Sequence, residues 1–343
     1  MIPGMAELVG AVQTNCDIAD ARHARDVSLC TYLLGMREFF RWEHQLPYGV
    51  APPRDDVGRW IAEREARWEA LADDDYVPLP VAGRTLDPFA VAEVNAALAG
   101  SGLVYGAGIG RFRKPHFFLA ELTREEQRGE AQLLVCGCEY ARDVAAIPAA
   151  SQGNTLIVRR EALRQWLWEK AEGWSLKQQD GALREALAAH GYEADPAMAI
   201  ERMVEAETEA LAWHEEGEWQ AARRLGTAWG ERMAGLSSRR AELLLRATRD
   251  NLADCLVTLP RLAAVGSEAM RQFWLASFDG LRRELFPAIA KVCAGDTARW
   301  AELATRGAGH FESLARRLLA EPEQEIERLS HRAEELGVAA EFV

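Results

Sequence analysis

The chain has no excess of basic residues: Lys and Arg number 40 against 53 Asp and Glu, a formal net charge of -13 over 343 residues. Nucleic-acid binding draws most of its affinity from clustered cations that displace counterions, so a phosphate-tracking surface is not expected. There is no apolar run approaching the roughly eighteen residues needed to cross a bilayer. The opening "MIPGMAELVGAVQTN" has neither a basic leader nor a long apolar stretch, so a cytoplasmic protein without membrane contact is expected. Cysteines are few and scattered, at positions 16, 30, 136, 138, 255 and 293, which excludes the disulfide framework of a small secreted domain. No sequence period repeats, which excludes a solenoid.

What is present is ordinary globular material, 49% hydrophobic and 27% charged, with 11 tryptophans. The length suggests more than one core. The expected fold is mainly α: a mixed α+β domain over residues 1–175, a connecting region over 176–194, and an all-helical bundle over 195–343. In the first part a helix is predicted across residues 14–44, with Ile18, Leu29, Leu33, Met36 and Phe40 on one side. A second is predicted through "DDVGRWIAEREARWEALA", and a third in "DPFAVAEVNAALAGSG" with Asp87 as its cap. The segments "LVYGAGIG", "PHFFLAEL" and "AQLLVCGCEYA" read as a three-stranded antiparallel meander, with "TLIV" at 155–158 as a further short strand. Beyond Pro196 helices are predicted at 197–216, 218–234, 238–264 and 267–291, followed by shorter ones, with Pro260 and Pro287 kinking or ending theirs.

The run "TNCDIADARHARDVSLC" concentrates reactive side chains. On one continuous helix of about 3.6 residues per turn, Cys16, Asp20, His23, Val27, Cys30 and Leu34 fall in one arc, opposite the apolar stripe. Cys, Asp and His at i, i+4 and i+7 suit a zinc or iron ion, with Asp20 a ligand or the orienter of His23. They also suit a cysteine nucleophile, Cys16 near a helix N-terminus assisted by His23. The structural alternative is that Asp17 and Asp20 complement the helix dipole, Arg22 and Arg25 pair with carboxylates, and His23 hydrogen-bonds locally. "CGC" at 136–138 places two thiols on one strand face, with His116 a further candidate ligand, while Cys255 and Cys293 read as small core residues. "GAGIG" at 106–110 lacks the following helix of a dinucleotide fingerprint and reads as a turn.

A second cluster lies in "EAETEALAWHEEGEW". If the helix continues through Gly217, Glu207, His214 and Glu218 share a face, and His214 and Glu218 are one turn apart. On the later helix Asp250 and Asp254 are again one turn apart and complete an N/O shell for iron or manganese. A solvated acidic face paired with Arg223, Arg224, Arg246 and Arg249 is the alternative. The string HEEGE lacks the second histidine of a zinc-protease helix. The acidic helical face resembles that of the heme-oxygenase-like di-iron oxidases over the helical half only, with fewer histidines on its later helix than those carry.

Over most of its length, through "NCDIADARHARDVSLCTYLLGMREFFRWE", "CEYARDVAAIPA", "VRREALRQWLWEK" and "HEEGE", the chain resembles an uncharacterised bacterial family with paired domains of unknown function, a resemblance that implies no reaction. From the residues, the leading expectation is a metal-dependent enzyme (zinc, iron or manganese) acting on a small molecule by oxidation or hydrolysis. Cys16, Asp20 and His23 are its first site, and His214, Glu218, Asp250 and Asp254 its second. The other readings are a non-catalytic interaction protein whose all-helical half docks a partner or dimerises, supported by the tryptophan-rich "RQWLWEKAEGW" and the long C-terminal helices, and a metal-free cysteine enzyme or thiol sensor.

Overall fold

The computed structural model describes residues 4–338, so the last five residues of the expected helical domain lie outside it. In chain order the elements are α1 (Met5–His23), α2 (Leu29–Glu43), α3 (Arg54–Leu71), β1 (Leu79–Val81), β2 (Arg84–Leu86) and α4 (Val91–Ala97). Then come β3 (Leu103–Ile109), β4 (Pro115–Arg128), β5 (Ala131–Arg142), β6 (Ala149–Gln152) and β7 (Thr155–Arg159). Helices follow: α5 (Arg160–Lys177), α6 (Ala182–Ala189), α7 (Pro196–Leu225), α8 (Thr227–Gly235) and α9 (Arg239–Ala253). Next come a π-helical turn (Asp254–Thr258), α10 (Leu259–Ala264), α11 (Glu268–Ser277), α12 (Gly280–Leu285), α13 (Thr297–Ala320) and α14 (Glu323–Ser330), and single 3-10 turns lie at Arg111–Arg113, Ile289–Lys291 and Ala333–Leu336. The fold is mainly α, with a mixed first half and a helical second half.

The chain forms two compact units. The first takes residues 1–126, 134–148 and 159–166, and the second takes 127–133, 149–158 and 167–343. The expected meander is present as neighbours in a five-stranded sheet of order β3-β4-β5-β7-β6. In it β3 runs antiparallel to β4 with Tyr105 opposite Leu119, and β6 antiparallel to β7. The hairpin β1–β2 and strand β6 were not foreseen; β1 and β2 are three residues each, too short for alternation to register.

In the first unit the long opening helix needs correction. It is two helices, parted at residues 24–28, because the Ser28 side chain accepts from the Thr31 amide and so begins α2 afresh. Residues 15–20 of α1 are buried all the way round, whereas Val27, Leu29, Leu33 and Leu34 beyond the break are exposed. The predicted arc therefore does not persist past His23, and of the stripe beyond it Met36 and Phe40 are buried while Leu29 and Leu33 are not. Helix α4 begins at Val91, later than expected, since Asp87 accepts the Phe89 amide in a local turn instead of capping a helix.

In the second unit α7 runs unbroken through Gly217 to Gly226, whose φ of 76° ends it. The expected helix over 267–291 is also divided: α11 and α12 are separated at Phe278 and Asp279, and Pro287 follows α12. Pro260 lies in the first turn of α10, directly after the π turn, which widens the helix where the proline withholds an N–H. The core of this unit includes Trp300, Phe311 and Phe286, with Leu244, Leu245 and Leu252 of α9.

Candidate functional site

The all-round burial of α1 forces its carboxylates to find cations. Asp17 meets Arg64 Nη1 at 3.1 Å and Arg67 Nε at 2.8 Å, both from α3. Asp20 accepts from Lys114 Nζ at 2.7 Å and from the Val144 amide at 2.9 Å. Burial pushes its carboxyl up to about 6, against the pull of Lys114. Cys16 is fully buried and donates its S–H to the Phe117 carbonyl at 3.2 Å. Burial pushes this thiol well above its usual range, and Asp143, Asp20 and Asp17 push in the same direction. A protonated buried thiol is neither a nucleophile nor a ready metal ligand.

His23 occupies the last turn of α1, a quarter of its side chain exposed, with Nδ1 3.2 Å from Asp26. The structure does not bring Cys16, Asp20 and His23 together. Each turns to a separate partner, because α1 ends at His23 and two of the three residues are enclosed. His116 pairs instead with buried Asp143, Nδ1 to Oδ2 at 2.8 Å. Attraction to His116, Lys114 and Arg159 holds that carboxyl far below the usual range despite the desolvation that opposes it. Lys114 and Asp143 were not singled out from sequence, since nothing local couples Lys114 to a carboxylate 94 positions earlier. Of the two thiols in "CGC", Cys136 is buried and Cys138 exposed, and all six cysteines are free.

The second cluster is assembled. His214 and Glu218 lie a turn apart on α7, and Asp250 lies on α9. One atom from each of the three falls within 4.8 Å of the others, the sole such group of His, Cys, Asp or Glu among the described residues. Asp254, expected as a fourth ligand, stands behind the imidazole: its Oδ1 is 2.8 Å from His214 Nδ1, while its Oδ2 takes Arg282. This leaves Nε2 directed to Glu218 at 3.5 Å. Arg249 Nη2 donates to Glu218 Oε1 at 2.5 Å and to Asp250 Oδ1 at 2.9 Å, and Ser151 Oγ donates to Glu218 Oε2 at 3.3 Å.

The electrostatics follow from desolvation of a crowded carboxylate group. For His214, burial opposes the charge, yet Asp254 and Glu218 outweigh it and raise the imidazole well above its usual range. For Glu218, burial is outweighed by Arg249 and His214, which lower it. For Asp254, burial is outweighed by Arg282 and His214, with the same result. Glu215 has no ion pair among the described residues, and His214 and Arg249 lower it less than burial raises it. Burial, reinforced by Glu218, pushes it up to about 8, and its Oε2 has no hydrogen-bond partner among the described residues. Glu207, two turns earlier, is 3% exposed with Oε1 unpartnered among the described residues, and burial raises it well above the usual range.

Two helices approach closely enough to build this cluster because α7 presents Gly217 to α9. A Cβ there would stand 2.3 Å from the Ala253 carbonyl oxygen. The glycine within the HEEGE string is thus what lets His214 reach Asp254.

Comparison with known proteins gives a family and no chemistry. Residues 7–159 match the N-terminal domain, and residues 164–338 the C-terminal domain, of a family of unknown function, DUF6866. No curated protein and no solved structure matches the chain. With both domain matches in order along one sequence, this chain belongs to the DUF6866 family.

Proposed function

We propose that the protein is a metal-dependent enzyme acting on a small molecule, with one divalent ion held by His214 Nε2, Glu218 and Asp250. The observation that carries this reading is the convergence of those three ligand atoms within 4.8 Å, with Asp254 bonded to the far side of the imidazole. A carboxylate behind a ligating histidine fixes its tautomer and orientation. The nitrogen and oxygen donor set suits zinc, iron or manganese. Such an ion polarises a carbonyl or activates water, so hydrolysis and oxidation both stay within its reach.

Arg249 is the competitor. Its guanidinium bridges Glu218 and Asp250, and its side chain is 22% exposed. An entering ion takes over both carboxylates while Arg249 swings outward. Calorimetric titration with Mn2+ and Zn2+ tests this. Wild type and Arg249→Met should both bind one equivalent, Arg249→Met more tightly and with a rise in melting temperature on loading, while His214→Ala and Glu218→Gln lose the binding. Absence of saturable binding in both wild type and Arg249→Met would sink the proposal.

The interaction reading rests on a different observation. Val27 in the α1–α2 break and Leu29, Leu33 and Leu34 of α2 are 51, 70, 45 and 50% exposed. A protein that is metal-free and shows a concentration-dependent mass favours that reading.

A further inference from the structure

The first unit carries a carboxylate–imidazole pair that the metal reading does not use. His116 stands near the start of β4, and its Nδ1 lies 2.8 Å from Oδ2 of Asp143, the residue just beyond β5. Asp143 is fully buried, and its Oδ1 accepts the Ala145 and Ala146 amides at 2.9 and 3.2 Å. With both oxygens tied, the carboxylate is a fixed acceptor that holds the imidazole proton on Nδ1. The lone pair of the neutral ring is then on Nε2. That nitrogen has no hydrogen-bond partner among the described residues, and 16% of the side chain reaches solvent.

The hairpin is cut away around the ring. Directly across from His116 on β3 is Gly108, with Gly106 two residues before it and Gly110 two residues after. Alternate residues share a face, so on the side that His116 occupies this stretch of β3 offers no side chain to crowd it. A Cβ at Gly110 would stand 2.6 Å from both Nε2 and Cδ2 of the imidazole. The GAGIG run thus keeps the neighbourhood of Nε2 clear.

The neighbouring groups narrow the chemistry. No third His, Cys, Asp or Glu joins the pair in a group of metal-binding size among the described residues, the sole such group lying on α7 and α9. Lys114, two residues before His116, is committed to Asp20 at 2.7 Å, so its charge is matched before any anionic substrate arrives. The pair is an oriented imidazole with an open second nitrogen.

We propose that His116 Nε2 is a nucleophile for acyl transfer from small uncharged esters, with Asp143 as its positioning residue. The Nε2 lone pair adds to the ester carbonyl; the C–N bond forms and the C–O bond breaks, its electron pair leaving on the alcohol oxygen. The acyl-imidazolium keeps its Nδ1 proton against Asp143, whose charge offsets the new cation. Water then adds to the acyl carbon, the C–N electron pair returns to Nε2, and the carboxylic acid departs, releasing its proton to solvent. Ester and water become acid and alcohol, and no oxidant or reductant enters the balance.

The probe is para-nitrophenyl acetate, its hydrolysis followed as nitrophenolate release with EDTA present so that an ion at His214 plays no part. Wild type should exceed an equal concentration of free imidazole by about a thousandfold or more. Acid quenching and peptide mapping should find the acetyl group on His116. His116→Gln should lose the excess rate, and the exposed His331→Gln should keep it. Asp143→Asn retains an oxygen for the Ala145 and Ala146 amides but turns an N–H toward Nδ1, which moves the ring proton to Nε2. It should lower kcat by at least about a hundredfold with KM unchanged. Because removing either partner leaves a buried group unpaired, Gly110→Ala serves as a further variant; it keeps both partners, sets a methyl against the ring and should also cut the rate. A wild-type rate no greater than that of free imidazole, no acetyl on His116, wild-type hydrolysis in His116→Gln or Gly110→Ala, or a change in KM alone in Asp143→Asn would each overturn the proposal.

Discussion

Gly217→Ala is the sharpest perturbation of the helix contact beneath the His214 cluster. The added methyl would lie 2.3 Å from the Ala253 oxygen and 2.8 Å from its carbonyl carbon, both backbone atoms that no rotamer change can move aside. Helices α7 and α9 must separate by on the order of 1 Å, and overpacking of this kind costs about 3 kcal/mol at the upper end of its usual range. Replacing glycine by alanine inside a helix gains about 1 kcal/mol, leaving a net loss of about 2 kcal/mol. For a unit of this size that corresponds to a fall in melting temperature of roughly 4–8 °C. Gly173→Ala is the matched control: it lies within α5 with nothing within 4 Å of the added carbon, and the same change there should stabilise.

Separation also reaches the site. His214 lies one turn before Gly217, and Asp254 is the residue after Ala253, so their 2.8 Å contact lengthens and the imidazole loses part of what raises it. Calorimetry and an NMR titration of the His214 ring measure the two effects together. A melting temperature that rises in Gly217→Ala as it does in Gly173→Ala, with the His214 titration unmoved, would refute the packing argument.

Two other expectations are independent of it. Glu207 is held neutral by burial above the value of 4.5 at which it ionises in the unfolded chain, so the folded form retains a proton that the unfolded form has lost, and stability falls as pH rises through that interval. Glu207→Gln should therefore gain on wild type between about pH 5 and pH 8 in urea unfolding, and a gap independent of pH would contradict this. Cys16, enclosed and raised, should resist iodoacetamide at pH 8 until the chain unfolds, whereas Cys30 reacts in the folded protein; early labelling of Cys16 with a depressed apparent pKa would restore the thiol-enzyme reading.

Much of the scaffold was readable from local pattern. Alternating apolar runs marked β3, β4 and β5, and the turn spacing of His214 and Glu218 placed them on one face of α7, since both signals depend only on neighbours in sequence. The breaks were less visible. Ser28 resembles any polar residue until its side chain is seen on the Thr31 amide. The π turn adds a residue without a proline or glycine to mark it, so a single helix was expected over 238–264, kinked or ended only at Pro260. Long-range partners were beyond reach: Lys114 for Asp20, Arg64 for Asp17 and Arg282 for Asp254 are chosen by tertiary packing. That is why Asp254 was read as a ligand when it is the imidazole's anchor, and why the opening cysteine, aspartate and histidine were read as one group.

The wide turn at Asp254–Thr258 has a consequence for how this half of the molecule tolerates change. A π turn accommodates one residue more than a regular α turn, so Leu259 and Leu262 downstream are offset by about 100° from the phase that α9 alone would impose. Shortening the segment by one position would restore a straight α-helix and rotate either the Asp250 and Asp254 carboxylates or the following leucines away from their neighbours. Chain length here is a constraint in its own right, alongside the carboxylate of Asp254 that the turn carries.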